Sequence, residues 1–248
     1  MTRLAGTADI AATFDPPSAR TVTTRIALAT LALLAVGAAG SRGLPLPAST
    51  DIYDQTVVAV DDAPSWIGHG FELVSELGLV LLAGSLLFAG WRHRRRVPHL
   101  ARVVAAGSGV VLAYAISETL KVAVAQPRPC LDLAAGATVA PCPSATDWSL
   151  PSNHATIAMG LAVALVLTVQ RSARWAVPVA LAVAASRTII GVHYPHDAGS
   201  GILLAVTVVT VTTLALDRPV DAVIRRVTGR PSTPRGGTGV PGTCGRRL

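Results

Sequence analysis

FELVSELGLVLLAGSLLFAGW, residues 71–91, is the stretch from which the rest of the chain is read. A helix that crosses a bilayer needs about 20 mostly apolar residues, and this run supplies them without a break. Directly after it comes WRHRRRVPHLAR, residues 91–102, a short and strongly basic connection. Further apolar runs follow at about 102–126, 154–170, 175–191 and 197–216, and one precedes it at 26–40. Six runs joined mostly by short connections predict an all-α integral membrane protein with six transmembrane helices, without room for a second large soluble domain.

Composition agrees. Only 14% of the 248 residues are charged and the mean hydropathy is +0.52, whereas soluble domains carry about 25% charged residues. The domain plan is a polar tail over 1–25, a membrane domain over 26–216 and a basic tail over 217–248. That last tail is rich in Gly, Pro, Ser and Thr beyond Gly229 and reads as largely disordered. The run IALATLALLAVGAAG, 26–40, is short for a span and ends in small residues, so it reads either as a retained helix or as a cleaved signal. Between it and residue 71 lies a Pro- and Asp-containing stretch, part of which is suited to an amphipathic position on the outer surface.

The net charge of +7 comes from 20 arginines and one lysine. No basic patch is interleaved with aromatics, which argues against nucleic acid as a partner. Loops that remain on the cytoplasmic side carry the Arg and Lys excess. With the N-terminus inside and the spans alternating, seventeen of the 21 cations fall on that side, and both termini are cytoplasmic. Arg42, Lys121, Arg128 and Arg187 are left over, the last three near the outer ends of spans.

An ionisable group in or at the end of a span is costly, so function is its default explanation. One such cation is explained by snorkelling; three on the same side are better explained by a shared anion. Arginine binds phosphate through a planar fork. His154 lies at the same level, opening the fourth run after Ser152 and Asn153, either of which suits a helix cap. A helix N-terminus is itself favourable to an anion. His193 lies just past the fifth run with Asp197 four residues on, a pairing in which a carboxylate holds one imidazole nitrogen and leaves the other as nucleophile.

These residues also carry a family resemblance. KVAVAQPRP (Lys121, Arg128, Pro129), PSNH (Pro151, Ser152, Asn153, His154) and SRTIIGVHYPHD (Ser186, Arg187, His193, Asp197) stand in the order and spacing of the three motifs of the type 2 phosphatidic acid phosphatase superfamily, which the chain resembles. The resemblance implies a PAP2-type helical core with its active site at the outer face of the plasma membrane. It implies that Lys121, Arg128, Ser152, Asn153 and Arg187 bind phosphate. It further implies that His193 attacks phosphorus, Asp197 orients it, and His154 serves as acid and then base, with no metal or other cofactor. Asn153 stands where the family usually has Gly. Asn tolerates a left-handed backbone, and a polar residue at this place is similar to the bacitracin-resistance type of polyprenyl diphosphate phosphatase.

The expected function is therefore hydrolysis of a lipid phosphate or diphosphate, with a polyprenyl diphosphate as the leading substrate. Phosphatidic acid or phosphatidylglycerophosphate is the alternative. A non-catalytic lipid-binding or transport protein is the competitor from another class, although charges gathered at one face do not make a conduction path. The expected partners are the lipid substrate and the bilayer, with no obligate protein partner. Cys130 and Cys142 both fall in the loop 127–153 and are read either as a disulfide on an oxidising side or as two free thiols.

Overall fold

A computed structural model describes residues 46–61, 64–132 and 141–230. The run at 26–40 and the two outermost tails, as far as they precede residue 46 or follow residue 230, lie outside the described residues. Within them the chain is all-helical: α1 Pro47–Asp61, α2 Ser65–Arg92, α3 Val97–Val124, a single turn α4 Pro129–Asp132, α5 Asn153–Thr168, α6 Ala173–Ile189 and α7 Pro195–Thr228. The five apolar runs from residue 71 onward are thus α2, α3, α5, α6 and α7. Three stretches, Trp66–Arg92, Val97–Leu131 and Pro195–Thr228, are long and apolar enough to cross a membrane. Their outward faces carry large apolar side chains such as Leu77, Leu87, Phe88, Val111, Val122 and Leu203, a surface suited to lipid.

α5 is the hub. It packs against α2, α3, α6 and α7, and Ala155, Ala158, Met159, Leu161, Ala162, Ala164 and Leu165 are all buried. Its 16 residues span only about 24 Å at 1.5 Å per residue. Burial on all sides explains why a helix this short is apolar throughout, and it places the N-terminus of α5 deep in the protein.

Small residues bring the helices close. Ala101, Ala105, Gly109, Ala113, Ser117 and Lys121, every fourth residue of α3, are buried in one ridge, and α3 packs most extensively on α7. A Cβ on Gly109 would stand 2.9 Å from Val209 Cα, so the backbones meet as small-residue interfaces permit. The last member of that ridge is Lys121, so the packing of α3 also delivers a cation to one end of the bundle. α3 stops at Val124, where Ala125 adopts a left-handed backbone with φ 50°. Arg128 is consequently carried by the non-helical segment after Ala125 and not by a continued helix.

Near the start of α7, a Cβ on Gly201 would lie 2.6 Å from Ser152 O and 2.8 Å from Thr156 Oγ1. Gly201→Ala therefore pushes α7 away from the start of α5. We expect a loss of about 1–3 kcal/mol of stability, read as a lowered unfolding temperature in detergent, together with reduced turnover; a variant as stable and active as the parent would contradict this packing.

The far end of α7 extends past the predicted end of its apolar run at 216, continuing to Thr228. The extension is held by charge pairs: Arg225 to Asp221 at 2.7 Å and Arg102 to Asp217 at 3.0 Å. Arg230 reaches Arg95 O at 3.0 Å. The basic connection after α2 and the basic end of α7 therefore share one end of the bundle. Lys121, Ser152, Arg187 and Asp197, which lie at the opposite ends of their helices, share the other.

Candidate active site

His193 lies in the turn between α6 and α7, reached through Gly191, whose φ of 86° suits a residue without a Cβ. The carbonyl of Gly191 accepts a hydrogen bond from Tyr53 Oη at 2.9 Å, and Tyr53 packs on Tyr194. α1 thus holds the turn from above. Ser49 adds a second tie, with Oγ 2.8 Å from His196 Nδ1.

The His193 ring is buried, at 2% exposure. Nδ1 faces Asp197 Oδ2 at 3.4 Å and Ser149 Oγ at 3.3 Å. Nε2 accepts from Arg128 Nη1 at 3.0 Å. Arginine has no acceptor, so this contact requires a lone pair on Nε2 and places the proton on Nδ1, toward Asp197. Burial lowers the His193 pKa to about 4, the nearby Asp197 raising it and the charges of Arg128 and Arg187 lowering it further. The imidazole is neutral at pH 7, as a nucleophile must be.

Asp197 is fully buried. Its Oδ2 accepts from Tyr194 N at 2.8 Å and from the Ser149 hydroxyl, and its Oδ1 from Gln126 Nε2 at 3.0 Å. His196 Nε2 lies 3.2 Å from the same Oδ1. A carboxylate with this many donors is fixed in orientation, and it in turn fixes the ring of His193.

The phosphate-binding candidates surround this pair. Arg128 is buried, and its donors reach Asp147 O at 2.7 Å, Val192 O at 3.0 Å, His193 Nε2 and the carboxylate of Asp147. Lys121 Nζ meets Asp147 Oδ1 at 3.0 Å and Glu118 Oε1 at 3.8 Å. Arg187 reaches Ser75 Oγ at 3.3 Å through Nη1, while its Nε is buried without a hydrogen-bond partner. Ser152 occupies the N-cap position of α5 but its hydroxyl makes no capping bond; Oγ too is buried without a partner. Two buried polar groups in this state are costly unless a ligand completes them.

Asn153 is placed differently from its expected role. Its Oδ1 accepts from Ser117 Oγ at 2.8 Å, and its Nδ2 donates to Glu118 Oε1. Both ends of the amide are engaged by α3, so in this structure the side chain ties α5 to α3. His154 Nε2 lies 3.1 Å from Glu76 Oε1 on α2. Cys130 and Cys142 are joined in a disulfide that holds the loop leading to Asp147 and Ser149.

Asp147, Ser149, Gln126 and Glu76 are the site residues that the sequence reading does not reach. Glu76 had a signal, since it is an acidic residue within an apolar run and the cost that singled out the three cations applies to it equally. Asp147 and Ser149 lie in a polar loop with no spacing to mark them, and Gln126 is an ordinary residue between two motif positions.

Residues 102–220, a region that contains all three motifs, match the PAP2 superfamily. The chain is similar to two curated relatives, the decaprenylphosphoryl-5-phosphoribose phosphatases of Mycobacterium tuberculosis strains CDC 1551 / Oshkosh and ATCC 25618 / H37Rv. Each is 38% identical over 105 residues, covering 42% of this chain. The match spans about half the length of those relatives, 55%. Among solved structures, the transmembrane PAP2-type phosphatidylglycerolphosphate phosphatase from Bacillus subtilis shares the fold, with a TM-score of 0.52 at 19% identity over 81% of this chain and 98% of that one. The PAP2 helical core and the membrane character of the chain follow from these likenesses and from the apolar helices.

Proposed function

We propose that the chain is a lipid phosphatase that hydrolyses a lipid phosphate or diphosphate through a phosphohistidine on His193, without a metal ion. The observation that carries this reading is the pair of buried, unpartnered polar atoms, Arg187 Nε and Ser152 Oγ, in a site that also holds Lys121, Arg128 and a neutral, oriented histidine. A phosphoryl group among them gives both atoms a partner and offers phosphorus to Nε2. Arg128 turns an N–H from Nε2 to a phosphoryl oxygen, freeing the lone pair. Nε2 then bonds to phosphorus as the P–O bond to the leaving group breaks, and His154 protonates the departing oxygen, that of an alkoxide from an ester or of a phosphate from a diphosphate. In the second step His154 takes a proton from water, the oxygen bonds to phosphorus, and the P–N bond breaks to release phosphate. Lys121, Arg128 and Arg187 stabilise the charge on the equatorial oxygens throughout.

The basic ends of the helices lie opposite this site. The positive-inside rule therefore supports an active site at the outer face of the plasma membrane, with the C-terminus cytoplasmic. For the substrate, the relatives act on a polyprenyl-linked phosphosugar by name, which favours a polyprenyl carrier over a diacylglycerol one. A free polyprenyl diphosphate and a phosphorylated polyprenyl sugar both remain within this class.

The test is phosphate release by the purified full chain from a polyprenyl diphosphate, a polyprenylphosphoryl phosphosugar, phosphatidic acid and phosphatidylglycerophosphate, with and without a chelator. We expect release from a polyprenyl substrate and no effect of the chelator. No release from any of the four would overturn the enzymatic reading and favour a lipid-binding or transport protein. Loss of activity with chelator would overturn the metal-free mechanism.

A further inference from the structure

Lys121 and Arg128 do not face the site unaccompanied. The carboxylate of Asp147 lies across both, with Oδ1 3.0 Å from Lys121 Nζ and Oδ2 2.9 Å from Arg128 Nη2. Two oxygens of one anion bridging two cations is also how a phosphoryl group would use them, so carboxylate and substrate cannot both have the full pair. We propose that Asp147 sets the affinity an anion needs to occupy the site, competing for Lys121 and Arg128 so that doubly charged phosphomonoesters still enter while singly charged phosphodiesters bind too weakly to fill it. The proposal rests on the reading of the site as a phosphatase.

The physical case is one of charge and tethering. A phosphomonoester carries about −1.5 to −2 at pH 7, while a phosphodiester carries about −1, no more than the carboxylate it would have to displace. For a protein in a bilayer this matters, because phosphodiester head groups surround it in excess and a bare cationic pocket would bind them. Asp147 is held at the site by short lengths of chain. Five residues before it is the Cys130–Cys142 disulfide, and two residues after it Ser149 N donates to Gln126 O at 2.9 Å. A competitor tethered this closely acts at an effective concentration of about millimolar or above. Hydrogen bonds from Lys121 and Arg128, together with their charges, outweigh the effect of burial and hold the Asp147 carboxyl below the usual carboxylate range, so it is present as an anion whenever substrate is.

The carboxylate can also leave. Its side chain is 43% exposed, whereas those of its two partners are nearly buried. The loop has a separate hold on Arg128, through Asp147 O to Nε at 2.7 Å, which survives when the side chain turns out to solvent. A dianion can thus take Lys121 and Arg128 without dismantling the loop.

The experiment compares direct binding of inorganic phosphate and of a short-chain phosphatidylglycerol to the full chain in neutral detergent, by calorimetry. The parent is expected to bind phosphate and to bind the phosphodiester weakly. In Asp147→Asn both anions should tighten, each by about ten-fold, a change of about 1.4 kcal/mol, because a competitor that either ligand must displace is gone. Asp147→Glu keeps the charge and should keep both affinities near those of the parent. Asp147→Ser replaces the Asn variant if that one fails to fold. Unchanged affinities in Asp147→Asn would overturn the proposal, as would weakening of both, which would mean that Asp147 only positions the cations. A parent protein that binds no phosphate would instead overturn the reading of the site on which the proposal rests.

Discussion

His193→Asn is expected to leave a folded protein whose turnover falls by about 10⁴-fold or more, the scale on which single removals of a covalent nucleophile act. The side chain is fully enclosed, with neighbours that each serve its orientation: Asp197 and Ser149 at Nδ1 and Arg128 at Nε2. Asparagine keeps a polar group in that space but has no lone pair basic enough to take phosphorus. Activity should disappear in kcat, with binding of inorganic phosphate retained, since Lys121, Arg187 and Ser152 are untouched. The pH profile of the parent follows from the same burial. With its pKa lowered from 6.5 to about 4, His193 is neutral from pH 7 down through the usual histidine range. It is lost as a nucleophile only as pH falls through about 4, so an acid limb near 6.5 would not be assigned to it. Near-normal turnover in His193→Asn would refute the nucleophile assignment.

Arg128→Lys is the second large effect, expected to lower kcat/KM by about 10²–10³-fold, comparable to removal of an oxyanion-stabilising donor. The substitution conserves charge, so a purely electrostatic role would tolerate it. The guanidinium does more than carry charge. It joins Asp147 O, Val192 O, His193 Nε2 and the Asp147 carboxylate through separate N–H groups. An ammonium on a flexible stem cannot span those directions. Because the fork also ties the loop to the turn before α7, some stability should be lost, and the unfolding temperature separates that loss from the kinetic one. A lysine variant with kcat/KM within about two-fold of the parent, where RT ln 2 is too small to register a lost charged hydrogen bond, would contradict the role of the fork.

What could be read from the sequence divides along physical lines. Apolar runs determine helices, and the five runs from residue 71 onward each became one because a lipid-facing or hub helix must satisfy its backbone internally. Arg128 shows where that logic stops. It lies seven residues after Lys121, about two turns if the helix persisted, while Pro127 and Pro129 point to a helix end near there; the helix ends at Val124 and the left-handed Ala125 redirects the chain, so the two cations meet through a change of backbone and not through a helix face. The motif histidines and cations were visible because charges are rare in such a chain. Ser149, Gln126 and Asp147 were not, because their roles come from what the fold places beside them. Asn153 shows the converse: its residue type suggested a phosphate contact, and only the packing of α5 on α3 reveals that Ser117 and Glu118 engage its amide.

The central claim is covalent catalysis by His193, and rapid acid-free quenching of the full chain with a substrate labelled in the scissile phosphate tests it most directly. Mass spectrometry of the quenched protein should find a transient, acid-labile and alkali-stable phosphoryl group on the peptide that contains His193, and none in His193→Asn. Turnover with no labelled intermediate, or with the phosphoryl group on His154, would contradict the account.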